Sequence, residues 1–220
     1  MKKTLLSAIA LAIVAVSAQA ATITWGTPTW IAGDTDVSTL GTTFAAINPA
    51  GSSETINTVT FEPTDPNLQV SGGAGWSDFI TGTPSLNLIP ATGSYSNALE
   101  TANYSNGGLA IYNLTVGQDY LVQVWASDAR EGGGTPVGGR SMTLDGGAVS
   151  LLHNHNDGTS TFGQWVIGTF TANSTNQTIT ASGYPQIDLA QVRTVPEPAT
   201  LSMLGVLGGL LFFARRRFKR

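Results

Sequence analysis

The chain has 220 residues, no cysteine and a formal net charge of −4, which excludes disulfides, thiolate metal sites and a cysteine nucleophile. Residues 21–194 hold thirteen acids against three arginines, Arg130, Arg140 and Arg193, and no lysine. A body at −10 is repelled by phosphate backbones, which argues against nucleic acid as a partner, and the missing lysine removes Schiff-base chemistry.

The N-terminus carries the three parts of a secretory signal in order. Lys2 and Lys3 form a basic start, Leu5 to Val16 an apolar run, and Ala18-Gln19-Ala20 a small-residue box after which signal peptidase is expected to cut. From Ala21 to Thr194 short runs rich in Val, Ile, Thr and aromatics alternate with Gly-Gly pairs and prolines. That pattern predicts strands at Thr22–Trp25, Thr42–Ile47, Thr55–Phe61, Leu109–Leu114, Tyr120–Ala126, Arg140–Leu144, Ala148–Leu152, Gly163–Thr171, Gln177–Ala181 and Gln186–Arg193. Within Tyr120–Trp125, large apolar residues alternate with Leu121 and Gln123, whereas Trp165–Phe170 is apolar on both faces and reads as an interior strand. Ser94–Asn103 is the exception and reads as a short helix. Strands of this length between frequent turns predict an all-β fold, an antiparallel β-sandwich, over residues 21–194. A body of about 175 residues buries roughly 70% of the unfolded chain's surface, enough to dispense with disulfides.

Three constellations are candidates for chemistry. Asp128-Ala129-Arg130-Glu131 follows a strand end and precedes a glycine run, so Asp128 and Arg130 can hydrogen-bond sugar hydroxyls, with Trp76 as a stacking aromatic. The plainer reading is a surface Asp–Arg pair steadying a loop. His153 and His155, two apart with Asp157 beyond, can face one metal from a strand. The favoured reading of His153–Gly158 is a polar connection closing on an Asp-Gly turn, and no metal or other cofactor is expected. Asp34 and Asp36 lack the register of a calcium loop and read as a polar turn. No nucleophile-elbow motif is present, and no catalytic residue is assigned. Of the other tryptophans, Trp125 and Trp165 lie in strands and read as core; Trp25 and Trp30 complete the set.

The C-terminal residues 195–220 form a third segment. Val195-Pro196-Glu197-Pro198 is extended and accessible, because two prolines remove backbone donors and disfavour helix. Leu201–Ala214 is uncharged over 14 residues, which as a helix rise roughly 21 Å against a hydrocarbon core of about 30 Å. Arg215, Arg216, Arg217, Lys219 and Arg220 then hold the end on the cytoplasmic side of the inner membrane.

Pro-Glu-Pro, a short apolar span and a terminal arginine cluster resemble the PEP-CTERM sorting signal of Gram-negative bacteria. The resemblance implies transient insertion in the inner membrane and removal of the tail near the motif by an exosortase, a membrane protease. It implies delivery to the cell surface or extracellular matrix, in a family commonly linked to extracellular polysaccharide and biofilm. Some proteins with this tail bind ice, but the threonine pairs Thr22/Thr24 and Thr178/Thr180 are isolated here, which argues against it.

Leu114–Trp125, a turn leading into a Tyr-initiated strand, and the hairpin pair Gly168–Ala172 and Gln177–Thr180 are similar to galactose-binding-like and malectin-like jelly rolls. That likeness implies a non-catalytic, polysaccharide-binding sandwich. The alternatives are a glycan-active enzyme, which requires two converging carboxylates, and a ligand-free coat protein.

Overall fold

The computed structural model describes residues 20–71, 74–76, 93–104, 107–128, 140–154 and 163–196, with 74–76 and 154 described by backbone alone. Residues 1–19, where the signal segment is expected, and the tail from Glu197 onward lie outside the described residues. Among those described, no helix is long and apolar enough to cross a membrane.

The first half of the chain forms β1 (Thr24–Trp25), β2 (Thr29–Trp30), β3 (Thr42–Ile47), β4 (Glu54–Ile56), β5 (Val59–Phe61), β6 (Leu68–Val70), β7 (Ala74–Trp76), helix α1 (Gly93–Leu99), β8 (Ala102–Tyr104) and β9 (Gly108–Ile111). The second forms β10 (Asp119–Ala126), β11 (Arg140–Leu144), β12 (Val149–Asn154), β13 (Gln164–Thr171), β14 (Gln177–Gly183), β15 (Gln186–Ile187) and β16 (Leu189–Thr194). One sheet runs β1-β13-β10-β16-β3, with β2 also on β13; the other runs β12-β11-β14-β9-β6. The strand pairs within both sheets are antiparallel. The chain alternates between sheets: β3, β10, β13 and β16 lie in the first, β6, β11–β12 and β14 in the second, with β9 added between β6 and β14. This is a jelly-roll β-sandwich.

Period-two alternation sends Tyr120, Val122 and Val124 of β10, Val166 and Phe170 of β13, and Val192 of β16 into the core between the sheets. They meet Leu109 and Ile111 of β9, Met142 and Leu144 of β11, Leu151 of β12 and Ile179 of β14. A second core covers the outer face of the larger sheet, where Trp125 and Leu189 pack with Ile31, Ile56, Val59, Phe61, Tyr95 and Leu99. Trp125 donates its indole N–H to the Tyr95 hydroxyl at 2.9 Å, and the Phe61 ring stands edge-on to it at 5.8 Å. Tyr95, Ala98 and Leu99 share the buried face of α1, at helical spacing.

These outer elements change the expectation for β10. The alternation at Leu121 and Gln123 suggests a more polar face, yet both residues are buried. The Gln123 carboxamide accepts from the Ser38 N–H at 3.0 Å and donates to the Asp36 carbonyl at 2.7 Å, so the strand's one polar interior side chain ties down the segment above it. Asp34–Asp36, read from sequence as a polar turn, is a short 3₁₀ turn.

Other boundaries also shift. Thr55–Phe61 is a hairpin, not one strand, because Asn57 and Thr58 take positive φ (45° and 68°) and turn the chain between Ile56 and Val59. The helix expected over Ser94–Asn103 stops at Leu99, and Ala102 onward pairs with β7 and β15. Gln186–Arg193 breaks at Asp188: β15 joins β8 in a small third sheet, while β16 enters the larger one.

Candidate functional site

The two ends of strand β10 are about 25 Å apart at the usual rise per residue. At its C-terminal end the chain leaves the sheet through Ser127 and Asp128, both buried. The Asp128 N–H donates to the His153 carbonyl of β12 at 2.6 Å, and its carboxylate accepts from the Arg140 guanidinium of β11 at 3.4 Å. That guanidinium lies 5.7 Å from the centroid of the Tyr184 ring. Tyr184, held by its N–H to the Ser141 carbonyl at 3.2 Å, is 51% exposed. Opposite Gln186 in the neighbouring sheet stands Tyr104, 38% exposed. Two exposed tyrosines and a partly exposed guanidinium with a buried carboxylate behind it thus lie at one end of the sandwich.

Beneath them is Asp188, wholly buried. Its carboxylate accepts from the Ser127 N–H and, at 3.3 Å, from the Gln186 carboxamide, which also donates to the Ser127 carbonyl. Burial pushes the Asp188 carboxyl well above the ordinary carboxylate range. The bonds from Ser127 and Gln186 oppose that shift, and the Asp128 charge adds to it.

The residues singled out from sequence fare differently here. Asp128 sits in the cluster, but it is fully buried, so the reading of an exposed surface pair is corrected. Its described cationic partner is Arg140; Arg130 lies outside the described residues. Trp76 contributes its backbone to β7, paired with Ala102; its side chain is likewise outside them. His153 is buried in a strand that continues to Asn154, so the segment does not start as a polar connection. His155 and Asp157 lie beyond the described residues, among which no three metal-ligating side chains gather. Trp25, Trp30 and Trp165 are half-buried and Trp125 fully so. The sequence reading missed Arg140, Tyr184, Gln186 and Asp188. The available signal was Tyr184-Pro185, a corner between strands, followed by an acid interrupting an apolar run.

At the other end of β10 the chain makes its exit. Strand β16 lies between β10 and β3, and its last pairs are Thr194 with Tyr120 and Thr194 with Thr42. The Val195 N–H donates to the Asp119 carbonyl at 2.9 Å, and the Val195 carbonyl accepts from the Gln118 carboxamide at 2.8 Å. Val195 and Pro196 border a shallow pocket of about 480 Å³, with Thr22, Thr24, Asp119 and Thr171 on its other sides. Thr24 pairs with Thr169 there, so Thr22/Thr24 is less isolated than its spacing suggests; the threonines still form only a small patch beside Asp119.

Residues 194–217 match the family model of the PEP-CTERM protein-sorting motif. The match begins at the final residue of β16, so the PEP-CTERM segment follows the folded body without a spacer. No curated protein matches the chain. Among solved structures, a calcium-binding mutant of Bacteroides uniformis beta-glucuronidase 2 is similar at 16% identity and a TM-score of 0.49. The same enzyme bound covalently to cyclophellitol-6-carboxylate aziridine is similar at 15% identity and a TM-score of 0.46. In both comparisons 69% of this chain is covered, but only 18% of the other.

Proposed function

We propose that this chain is a secreted, exosortase-sorted protein of the envelope or extracellular matrix of a Gram-negative bacterium, and that its sandwich binds polysaccharide without cleaving it. The observation that carries the reading is the sorting motif placed directly after the last strand. Cleavage anywhere beyond Pro196 leaves every described strand paired, so the released body keeps its fold. Binding is supported by Tyr104, Tyr184 and Arg140 at the far end of the sandwich, where aromatic faces and a guanidinium suit sugar rings and hydroxyls. The non-catalytic reading is supported by Asp128 and Asp188. Both carboxylates are wholly buried and bonded to their own chain, whereas a hydrolytic pair must reach a glycosidic oxygen and a water.

Intact mass tests the sorting half. Recovered from the medium of exosortase-positive cells, the protein is expected to start at Ala21 and to end between Val195 and Pro198. In exosortase-negative cells it retains Arg220. Retention of Arg220 in both strains overturns the reading and makes the chain a membrane-anchored domain.

A further inference from the structure

Four large hydrophobic residues stand exposed among the described residues: Leu40, Tyr104, Val116 and Tyr184. The two tyrosines lie at the far end of the sandwich. Leu40 and Val116, each 59% exposed, lie at the other, on either side of the point where the chain leaves the body.

Their placement follows from the sheet. Leu40 precedes β3 and Val116 precedes β10, and these are the two strands that flank β16. Arg193 donates through Nε to the Leu40 carbonyl at 2.7 Å, fixing that loop to the end of β16. Val116 sits in a turn closed by the Gln118 N–H to the Thr115 carbonyl at 3.1 Å. Gln118 in turn holds the Val195 carbonyl at 2.8 Å. The two apolar side chains are therefore carried by loops that grip the departing chain from both sides.

Tether length then sets where this end must be. Five residue steps separate Pro196 from Leu201, the start of the uncharged run. Fully extended, they reach about 17 Å. The headgroup layer takes about 5–8 Å of that on each side of the bilayer. With the run inserted, the end of the body stands within about 10 Å of the lipid headgroups.

We infer that this end of the sandwich is a lipid-docking face, and that Leu40 and Val116 enter the membrane interface while the tail is still attached. The inference rests on the sorting reading above and adds an orientation to it. The tyrosine-bearing end points away from the membrane, toward extracellular polymer. Once the tail is removed the tether is gone, and two isolated apolar side chains bind lipid too weakly to hold a body at −10 on an anionic surface. The same face thus orients the precursor and lets the product leave.

The chain has no cysteine, so single-cysteine labelling is clean. The full chain is reconstituted, tail included, into vesicles of phosphatidylethanolamine and phosphatidylglycerol. An environment-sensitive fluorophore is placed on Leu40→Cys, Val116→Cys or, at the far end, the exposed Ser53→Cys. Lipid-borne nitroxide is expected to quench the labels at 40 and 116 several-fold more than the label at 53. Equal quenching at all three sites, in protein that floats with the vesicles, overturns the inference and leaves the sorting reading standing. Protein that does not float overturns both. Labels at 40 and 116 that become shielded only when exosortase is co-reconstituted identify a protease-docking face and overturn the lipid assignment.

Discussion

Gly41 lies so close to Thr194 that a Cβ built on it would stand 2.0 Å from the Thr194 carbonyl oxygen, and its φ of +73° is one that side-chain-bearing residues rarely adopt. Both constraints act where the loop before β3 meets the end of β16, beside the sorting motif. Gly41→Ala is therefore expected to destabilise the body by about 2–3 kcal/mol, through the strained backbone and the displaced strand end. Urea unfolding of residues 21–196 measures it. A change under about 0.5 kcal/mol would mean that β3 and β16 part freely at this end.

Arg193 secures the same region by a different means. Buried to 5% exposure, it has no carboxylate partner among the described residues; its guanidinium donates to the carbonyls of Thr39, Leu40 and Gly41 and to the Thr43 hydroxyl, at 2.7 to 3.1 Å. Loss of water around it lowers its pKa, but arginine stays charged throughout the accessible range. Arg193→Met keeps the apolar stem and strands several acceptors, with an expected cost of about 3 kcal/mol. Amide exchange at residues 39–43 is expected to rise well above that of β10. Uniform exchange across both regions would show that the guanidinium does not organise the loop.

The architecture was legible because strand periodicity is local. The runs at Tyr120–Ala126 and Gly163–Thr171 announce themselves as strands, and nearly every expected strand has a counterpart. What escaped was non-local. Nothing in the neighbourhood of Gln123 says that the Asp36–Ser38 segment will lie over it, so its burial is invisible until that distant segment is in place. The hairpin at Asn57-Thr58 was missed because it turns without glycine. Asp128 was read as exposed because a loop acid usually is; it is buried because β12 and Arg140 close over it, 12 or more residues away. The sorting motif was legible because it lies in one contiguous run, residues 194–217.

Asp188 makes stability depend on pH in an unusual direction. Its carboxyl is held well above its ordinary value of 3.8, first by burial. A carboxyl whose pKa rises on folding favours the folded state while protonated. Its contribution is present below pH 3.8 and is lost as pH climbs through the raised folded value. Asp188→Asn removes this titration. Urea unfolding from pH 4 upward is expected to show the wild type losing stability relative to the variant across that window. Parallel curves would mean that the carboxyl titrates alike in both states.

The far-end tyrosines bear on the ligand. Tyr184 is half exposed, and its ring rests against Arg140 rather than in a core, so truncating it removes no buried packing. Tyr184→Ala is expected to shift unfolding by no more than about 0.5 kcal/mol. If the ring is a sugar-stacking face, the same change weakens oligosaccharide binding about tenfold, equivalent to about 1.4 kcal/mol. Calorimetry with a panel of neutral and uronic-acid oligosaccharides separates the two quantities. Val116→Ala, at the opposite end, is the control and is expected to leave affinity unchanged. Equal affinity in the Tyr184 variant would move the ligand elsewhere, while shortened oligosaccharides after incubation would replace binding with hydrolysis. A tenfold loss with native stability ties recognition to the end of the sandwich that points away from the motif, where a matrix polymer can reach it before and after the tail is removed.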